Sequence, residues 1–193
     1  MKEPLSTDRL KERLLSEPSV EEAERVGSPV AAVAIIIDSK RRGGSILLIG
    51  RTERRGDPWS GQIAFPGGRR APEDQTFLET AIREAREEVG IDLREHEMLG
   101  VLPLVFARSR RIVVVPYVFQ LKEAVTVQSN EEVEESFWAP ISELAEIKLG
   151  KCKVRVEDSV RTVDCYVYHG YVIWGLTFRM INILLEREQT SDL

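Results

Sequence analysis

The chain has 193 residues, 42% hydrophobic and 31% charged, which is enough to bury one substantial core and short for two full domains. A formal net charge of −5 supplies no global positive field, so nucleic acid is not an expected partner, whereas a small anionic ligand bridged by a cation remains open. Residues 1–20 are polar and charged, and the longest apolar run, residues 29–37, is too short to cross a bilayer; no membrane association is expected, and the cytoplasm is the expected location. The predicted organisation is an N-terminal extension over residues 1–28, one domain over 29–188 and a tail over 189–193.

In chain order, Leu10, Leu14 and Leu15 stand at helical spacing behind Thr7 or Asp8 as a cap, which predicts a short amphipathic helix over residues 7–15, ended by Pro18. Residues 30–37 read as a buried strand and 45–50 as its returning partner across a charged turn. Residues 51–60, rich in Arg, Gly, Asp and Pro, read as a loop. Residues 63–65 read as a brief strand cut off by Pro66-Gly67-Gly68, and residues 76–89 as the clearest helix, stopped by Gly90. Strands follow over 99–105 and 111–121, then an acidic turn over 131–135 and a short helix over 141–145. A hairpin from residues 154–156 and 165–168 and a terminal helix over 176–186 complete the chain. The two cysteines, Cys152 and Cys165, show no Cys-x-x-Cys spacing; a hairpin disulfide is one reading, and two reduced thiols the plainer one in a reducing compartment. The mixture of elements predicts an α+β fold, an α/β/α sandwich with a mixed β-sheet.

The helix over 76–89 carries the chemistry. Leu78, Ile82, Ala85 and Val89 form one apolar stripe, and Glu84, Glu87 and Glu88 gather on an adjoining face. A solvated acidic face is the bland reading of such a run. Against it, Glu84 and Glu88 repel at i,i+4, and Glu87 and Glu88 sit in the last turn, where the helix dipole disfavours anions. A divalent cation would remove both penalties, since clustered carboxylate oxygens suit Mg²⁺ or Mn²⁺. Arg83 is placed to orient one of the glutamates, and Gly67-Gly68-Arg69 just upstream lets backbone approach closely beside a cation.

Gly68 followed by Arg83-Glu84-Ala85-Arg86-Glu87-Glu88-Val89-Gly90-Ile91 resembles the signature of the Nudix hydrolases. The first half departs from that pattern by one inserted residue, with Asp74 in place of the usual Glu, a position that is mostly structural in the family. Leu47-Leu48, Arg51-Thr52, the run Gly61 to Gly68 and Ile173-Trp174-Gly175-Leu176-Thr177 are similar to the coenzyme A diphosphatase branch, although that branch has a His shortly before Gly-Gln and the loop here reads Gly56-Asp57-Pro58-Trp59-Ser60. Trp59 either stacks on a base or anchors its own loop.

The resemblance implies a Nudix-like fold and metal-dependent hydrolysis of a nucleoside-diphosphate derivative, coenzyme A first, with ADP-ribose, a nucleoside triphosphate or a non-catalytic nucleotide-binding module as alternatives. Glu84, Glu87 and Glu88 with the Gly67 carbonyl are the implied ligands of Mg²⁺ or Mn²⁺. Glu84, Glu88 and Glu132 are the candidate catalytic groups, the general base being Glu84 or Glu132. Glu131 and Glu135 rival Glu132, and a plain acidic turn is an equal reading of that segment. Arg51, Arg54, Gly68 and Arg69 are the candidate phosphate-binding positions, because a guanidinium presents paired donors to phosphate oxygens. Arg108, Arg110 and Arg111 meet a second anionic group or form a solvated turn. A homodimer is compatible with the sequence.

Overall fold

The computed structural model describes residues 10–26, 30–53, 61–107, 112–156 and 159–187. Thr7, Asp8, Arg54, Trp59, Arg108, Arg110, Arg111 and the predicted tail lie outside them.

At the centre is β1 (Val30–Asp38), buried along nearly its whole length. Such a run of Val, Ala and Ile with no polar alternation is what a strand covered on both faces requires. Its side chains divide between two cores: Ala31, Ile35 and Ile37 on one face, Val30, Ala32, Ala34 and Ile36 on the other. β2 (Ser45–Arg51) turns back against its end, pairing Ile37 with Ile46, as the hairpin reading predicted. β7 (Ile112–Gln120) lies parallel to β1 from Val30↔Val113 to Ile37↔Gln120, which makes the sheet mixed.

The remaining strands are antiparallel to their neighbours. β3 (Ile63–Ala64) pairs with β2, β4 (Gly67–Arg69) with β1, and β5 (Glu97–Val101) and β6 (Val105–Ala107) with β7. β8 (Val133–Pro140) closes the eight-stranded sheet by pairing with β2. One face is covered by α2 (Phe77–Val89), so named because α1 (Val20–Val26) precedes it, and the other by the last helix, whose Phe178, Met180, Ile181 and Leu184 join the opposite core. The predicted α+β sandwich with a mixed sheet is therefore the observed architecture.

Beyond β8 come α3 (Ile141–Glu146), a three-stranded meander of β9 (Gly150–Val156), β10 (Ser159–Tyr168) and β11 (Tyr171–Trp174), and α4 (Gly175–Leu184). Among the described residues, no helix is long and apolar enough to cross a membrane.

Several local expectations give way. The helix predicted over 7–15 does not extend to its end: Leu15 is extended and bridges Val101, with Leu14 packed over Gly100, where a Cβ would fall 2.6 Å from the Leu14 Cβ. Pro18 does not end the local order but precedes α1, which opens on a capping box: Ser19 Oγ accepts from the Glu22 amide at 3.2 Å, and the Glu22 carboxylate accepts from the Ser19 amide at 2.7 Å. Gly67 and Gly68 form β4 instead of breaking the chain. The acidic segment turns only at residues 131–132 and continues as β8, because the free edge of β2 takes a partner while Glu134 and Glu135 stay in solvent.

The cysteines are also corrected. Cys152 and Cys165 are bonded to each other across β9 and β10, with Cα atoms 5.9 Å apart. Pairing of Val163 with Cys152 and of Cys165 with Gly150 sets the two thiols diagonally on one face of the meander, which spacing along the chain cannot show. A thiol titration of the unfolded, unreduced protein is expected to find no free thiol. Reduction should then lower the stability by up to about 3 kcal/mol, the loop-closure value for a crosslink of this span; two reactive thiols before reduction would show the bond absent.

Candidate active site

α2 begins where Thr76 accepts from the Glu79 amide at 3.1 Å and ends where Gly90, at φ 71°, donates back to the last carbonyls. Its buried face carries Phe77, Ala81, Ala85 and Val89, with Thr80 and Glu88. The stripe expected from Leu78 and Ile82 is thus rotated: both are only half-buried, and the larger Phe77 takes the inner position. That rotation turns Glu88 inward, to 1% exposure.

The sheet receives the helix at two glycines. A Cβ on Gly68 would stand 2.4 Å from Glu84 Oε1, and one on Gly67 would stand 2.4 Å from the Ala32 carbonyl oxygen. Only backbone without side chains lets the Glu84 carboxylate and β1 close on β4 from both sides. The β1–β4 ladder bonds at Ala34–Pro66 and Arg70–Val30 leave the peptide groups of Gly67 and Arg69 facing away from β1. The Gly67 amide donates to Glu88 Oε2 at 2.8 Å, and the Arg69 carbonyl accepts from Arg83 Nη2 at 3.3 Å. The Gly67 carbonyl, on the same side as its amide, therefore looks toward the carboxylates.

Two arginines hold the acids. Arg83 donates from Nη1 to Glu84 at 2.8 Å and Glu87 at 3.1 Å, and from Nη2 to Asp74 at 2.9 Å. Asp74, 5% exposed, also accepts from the Ala71 amide and the Thr80 hydroxyl. The acid expected in a structural role, one inserted residue out of register, thus anchors Arg83. Arg51 reaches Glu88 Oε1 at 3.3 Å. Of the other predicted phosphate contacts, Gly68 lies against Glu84 and the Arg69 side chain is exposed.

Glu132 joins from a distance in sequence. The last carbonyls of α2 accept from the loop that leads to β8, Val89 from the Gln128 amide at 2.9 Å and Glu88 from the Asn130 amide at 3.1 Å. Thr52, just after β2, donates to the Glu132 carbonyl at 2.9 Å. The helix terminus thus draws the loop across itself, and the Glu132 charge adds to the repulsion felt by Glu84 and Glu88. Of the rivals, Glu131 gives its carbonyl to Thr52 Oγ1, and Glu135 accepts from the Tyr171 hydroxyl on the far face. The Gly90 cap is read from the sequence; the Thr76 cap and the loop contacts are not.

Burial first, then neighbouring carboxylates, pushes Glu88 up to about 7 against the Gly67 amide and Arg51, and raises Glu84 despite Arg83. Hard carboxylate oxygens that resist ionising together, beside an outward-facing carbonyl, suit a divalent cation. Among the described residues, no three acidic, His or Cys groups converge as a preformed cation cage, since Arg83 and Arg51 hold the carboxylates instead.

Two titrations check this account. Asp74 is held down to about 2 by Arg83, so its contribution is complete above its unfolded value of 3.8 and lost as pH falls toward 2. Wild type should lose on the order of 2 kcal/mol more than Asp74→Asn across that window in chemical denaturation; parallel curves would remove the Arg83 anchor. Glu88 has the opposite sign: its raised value disfavours the fold as pH rises from 4.5 through about 7. Without metal, Glu88→Gln should melt higher than wild type at about pH 8 and lose that advantage near pH 5. An equal difference at both pH values would show Glu88 ionising normally.

Comparison with known proteins places the chain in a family. Residues 27–158 match the NUDIX domain family. The chain is 35% identical over 146 residues to an uncharacterized Nudix hydrolase, NudL, of Photorhabdus laumondii, covering 74% of this chain and 77% of that protein. It is 30% identical over 151 residues to the mitochondrial coenzyme A diphosphatase NUDT8 of Homo sapiens, covering 76% of this chain and 64% of that protein. Among solved structures, a MutT/nudix family protein from Enterococcus faecalis superposes with a TM-score of 0.52 at 18% identity, over 80% of this chain and 60% of that one. An Ap4A hydrolase of C. elegans in a binary complex superposes with a TM-score of 0.50 at 19% identity, over 58% of this chain and 80% of that one. These two likenesses concern the fold.

Proposed function

The chain belongs to the Nudix hydrolase family, and on that premise we propose that it hydrolyses the diphosphate bond of coenzyme A or an acyl-coenzyme A with Mg²⁺ or Mn²⁺, releasing adenosine 3′,5′-bisphosphate and a phosphopantetheine. The observation that carries the reading is Glu88, a nearly fully buried carboxylate beside Glu84 at a glycine seam, an arrangement that costs stability and gains a purpose when charge must be bound there. The coenzyme A assignment is supported by the 30% identity to the human diphosphatase and by the resemblance at Arg51-Thr52, Gly61 to Gly68 and Ile173 to Thr177.

Glu84, Glu87, Glu88 and the Gly67 carbonyl are the groups proposed to hold the cation. When bound, it neutralises diphosphate oxygens and lowers the pKa of a water near neutral pH. Glu84 or Glu132 takes the proton from the attacking water; both already share one electrostatic environment across the end of α2. Arg83, fixed by Asp74, keeps Glu84 and Glu87 directed to the seam. Arg51 balances Glu88 and, with Arg69 and Arg54, supplies guanidinium donors for phosphate oxygens.

The test is product analysis on coenzyme A, ADP-ribose and a nucleoside triphosphate with either metal, beside Glu88→Gln and Glu84→Gln. Adenosine 3′,5′-bisphosphate from coenzyme A is expected with wild type, and a loss of at least about 100-fold in either variant. The metal should raise the melting temperature of wild type and not of Glu88→Gln. Cleavage of ADP-ribose or the triphosphate alone would reassign the substrate; no cleavage and no metal-dependent shift would leave a non-catalytic module.

A further inference from the structure

The face of the sheet turned away from α2 carries a constellation that hydrolysis does not use. Across β2 and β8 the register pairs Gly50 with Glu135 and Leu48 with Phe137, and β3 sets Ile63 on the other side of Gly50. β11 packs against β3 and brings Tyr171 over this corner. The Tyr171 ring stacks on Phe137 with centroids 4.6 Å apart and planes 10° from parallel, and its hydroxyl donates to Glu135 Oε2. Behind them Tyr168 stacks on Phe137 at 5.9 Å and donates to Glu143 at 3.0 Å, which holds Phe137 in place.

Three features make this corner more than packing. Tyr171 and Phe137 are only half-buried. Glu135 is exposed, and its Oε1 has no hydrogen bond among the described residues. A Cβ on Gly50 would stand 2.9 Å from the Glu135 Cγ, so the carboxylate lies down over β2 because position 50 has no side chain. The corner is also next to the carboxylate cluster: Arg51, one residue beyond Gly50 on the same strand, reaches Glu88. Successive residues of a strand point to opposite faces, so the end of β2 joins the two places.

A flat aromatic platform flanked by one available carboxylate oxygen is complementary to a flat heteroaromatic ring with an N–H donor at its edge. We infer that Tyr171, braced by Phe137, stacks the nucleobase of the substrate while Glu135 accepts from its exocyclic amine, so that an aminopurine is selected over its oxo counterpart. This rests on the proposed cleavage of a nucleoside-diphosphate derivative. Tyr171 and Glu135 are thereby specificity-determining residues, and neither performs the hydrolytic step. An adenine ring satisfies the pair; hypoxanthine turns a carbonyl oxygen toward the carboxylate and is repelled.

The experiment compares coenzyme A with its hypoxanthine analogue in wild type, Tyr171→Ala, Tyr171→Phe and Glu135→Gln, with calorimetric binding of adenosine monophosphate and inosine monophosphate in metal-free buffer alongside. Tyr171→Ala is expected to raise KM by about 10-fold or more, in excess of any fall in kcat, on the scale of one lost base–aromatic stack. Tyr171→Phe keeps the ring and should recover most of that loss while melting like wild type. Glu135→Gln should bring the adenine and hypoxanthine substrates to within a few-fold of each other, against about 10-fold or more in wild type.

Equal kcat/KM for the two bases in wild type, or an unchanged KM in Tyr171→Ala, would overturn the inference while leaving the hydrolytic reading intact. If wild type cleaves neither substrate, the proposed function fails and the monophosphate titrations decide the inference alone: preference for adenosine monophosphate, lost in both Tyr171→Ala and Glu135→Gln, sustains it, and no preference ends it.

Discussion

A carboxylate buried between a helix and a sheet is the constraint around which the rest of this molecule is arranged. Glu88 is 1% exposed and its carboxyl is pushed up to about 7, so the fold keeps in its interior a group that would ionise more readily in water. It is tolerated because one oxygen takes the Gly67 amide and the other meets Arg51. Removing either partner would leave a buried charge uncompensated. The glycines of β4 follow from the same requirement, since any side chain at Gly68 would occupy the space of Glu84.

Around that seam the polar contacts form one connected system. Asp74 fixes Arg83, which spans Glu84, Glu87 and the Arg69 carbonyl, and so ties the entrance of α2 to its middle and to β4. At the other end, carbonyls that a helix terminus cannot satisfy internally draw in the amides of Gln128 and Asn130. The loop so captured carries Glu132 to the cluster and then becomes β8. Helix capping, a stability device elsewhere, here imports an acid that lies 44 residues beyond Glu88 in the chain.

The sheet separates two chemistries. On the α2 side lie charged oxygens suited to a cation and a diphosphate; on the other, Tyr171, Phe137 and Glu135 offer ring surface and one acceptor. β2 and β8 contribute to both, because their alternating side chains point to opposite faces. The C-terminal meander is thus not an appendage: β11 supplies Tyr171, and the Cys152–Cys165 bond ties the outer strand β9 to the central β10.

By itself the sequence determined the central buried strand, α2 with its Gly90 cap, the three glutamates and the glycine pair before them, because each rests on local periodicity, a terminating glycine or a contiguous signature. Only the tertiary structure decided which face of α2 turns inward, since Phe77 and Leu78 both fit helical spacing and the sheet chooses the one that fills its core. It likewise made strand of Gly67 and Gly68, read as a break, and of residues 133–135, read as part of a turn, because an edge that needs a partner outweighs weak local preference. The pairing of the cysteines, the nearness of the Glu132 charge to Glu84 and Glu88 and the meeting of Tyr171 with Glu135 join residues distant or offset along the chain. Those contacts exist only once the sheet register is set, and register is a property of paired strands, which no single segment encodes.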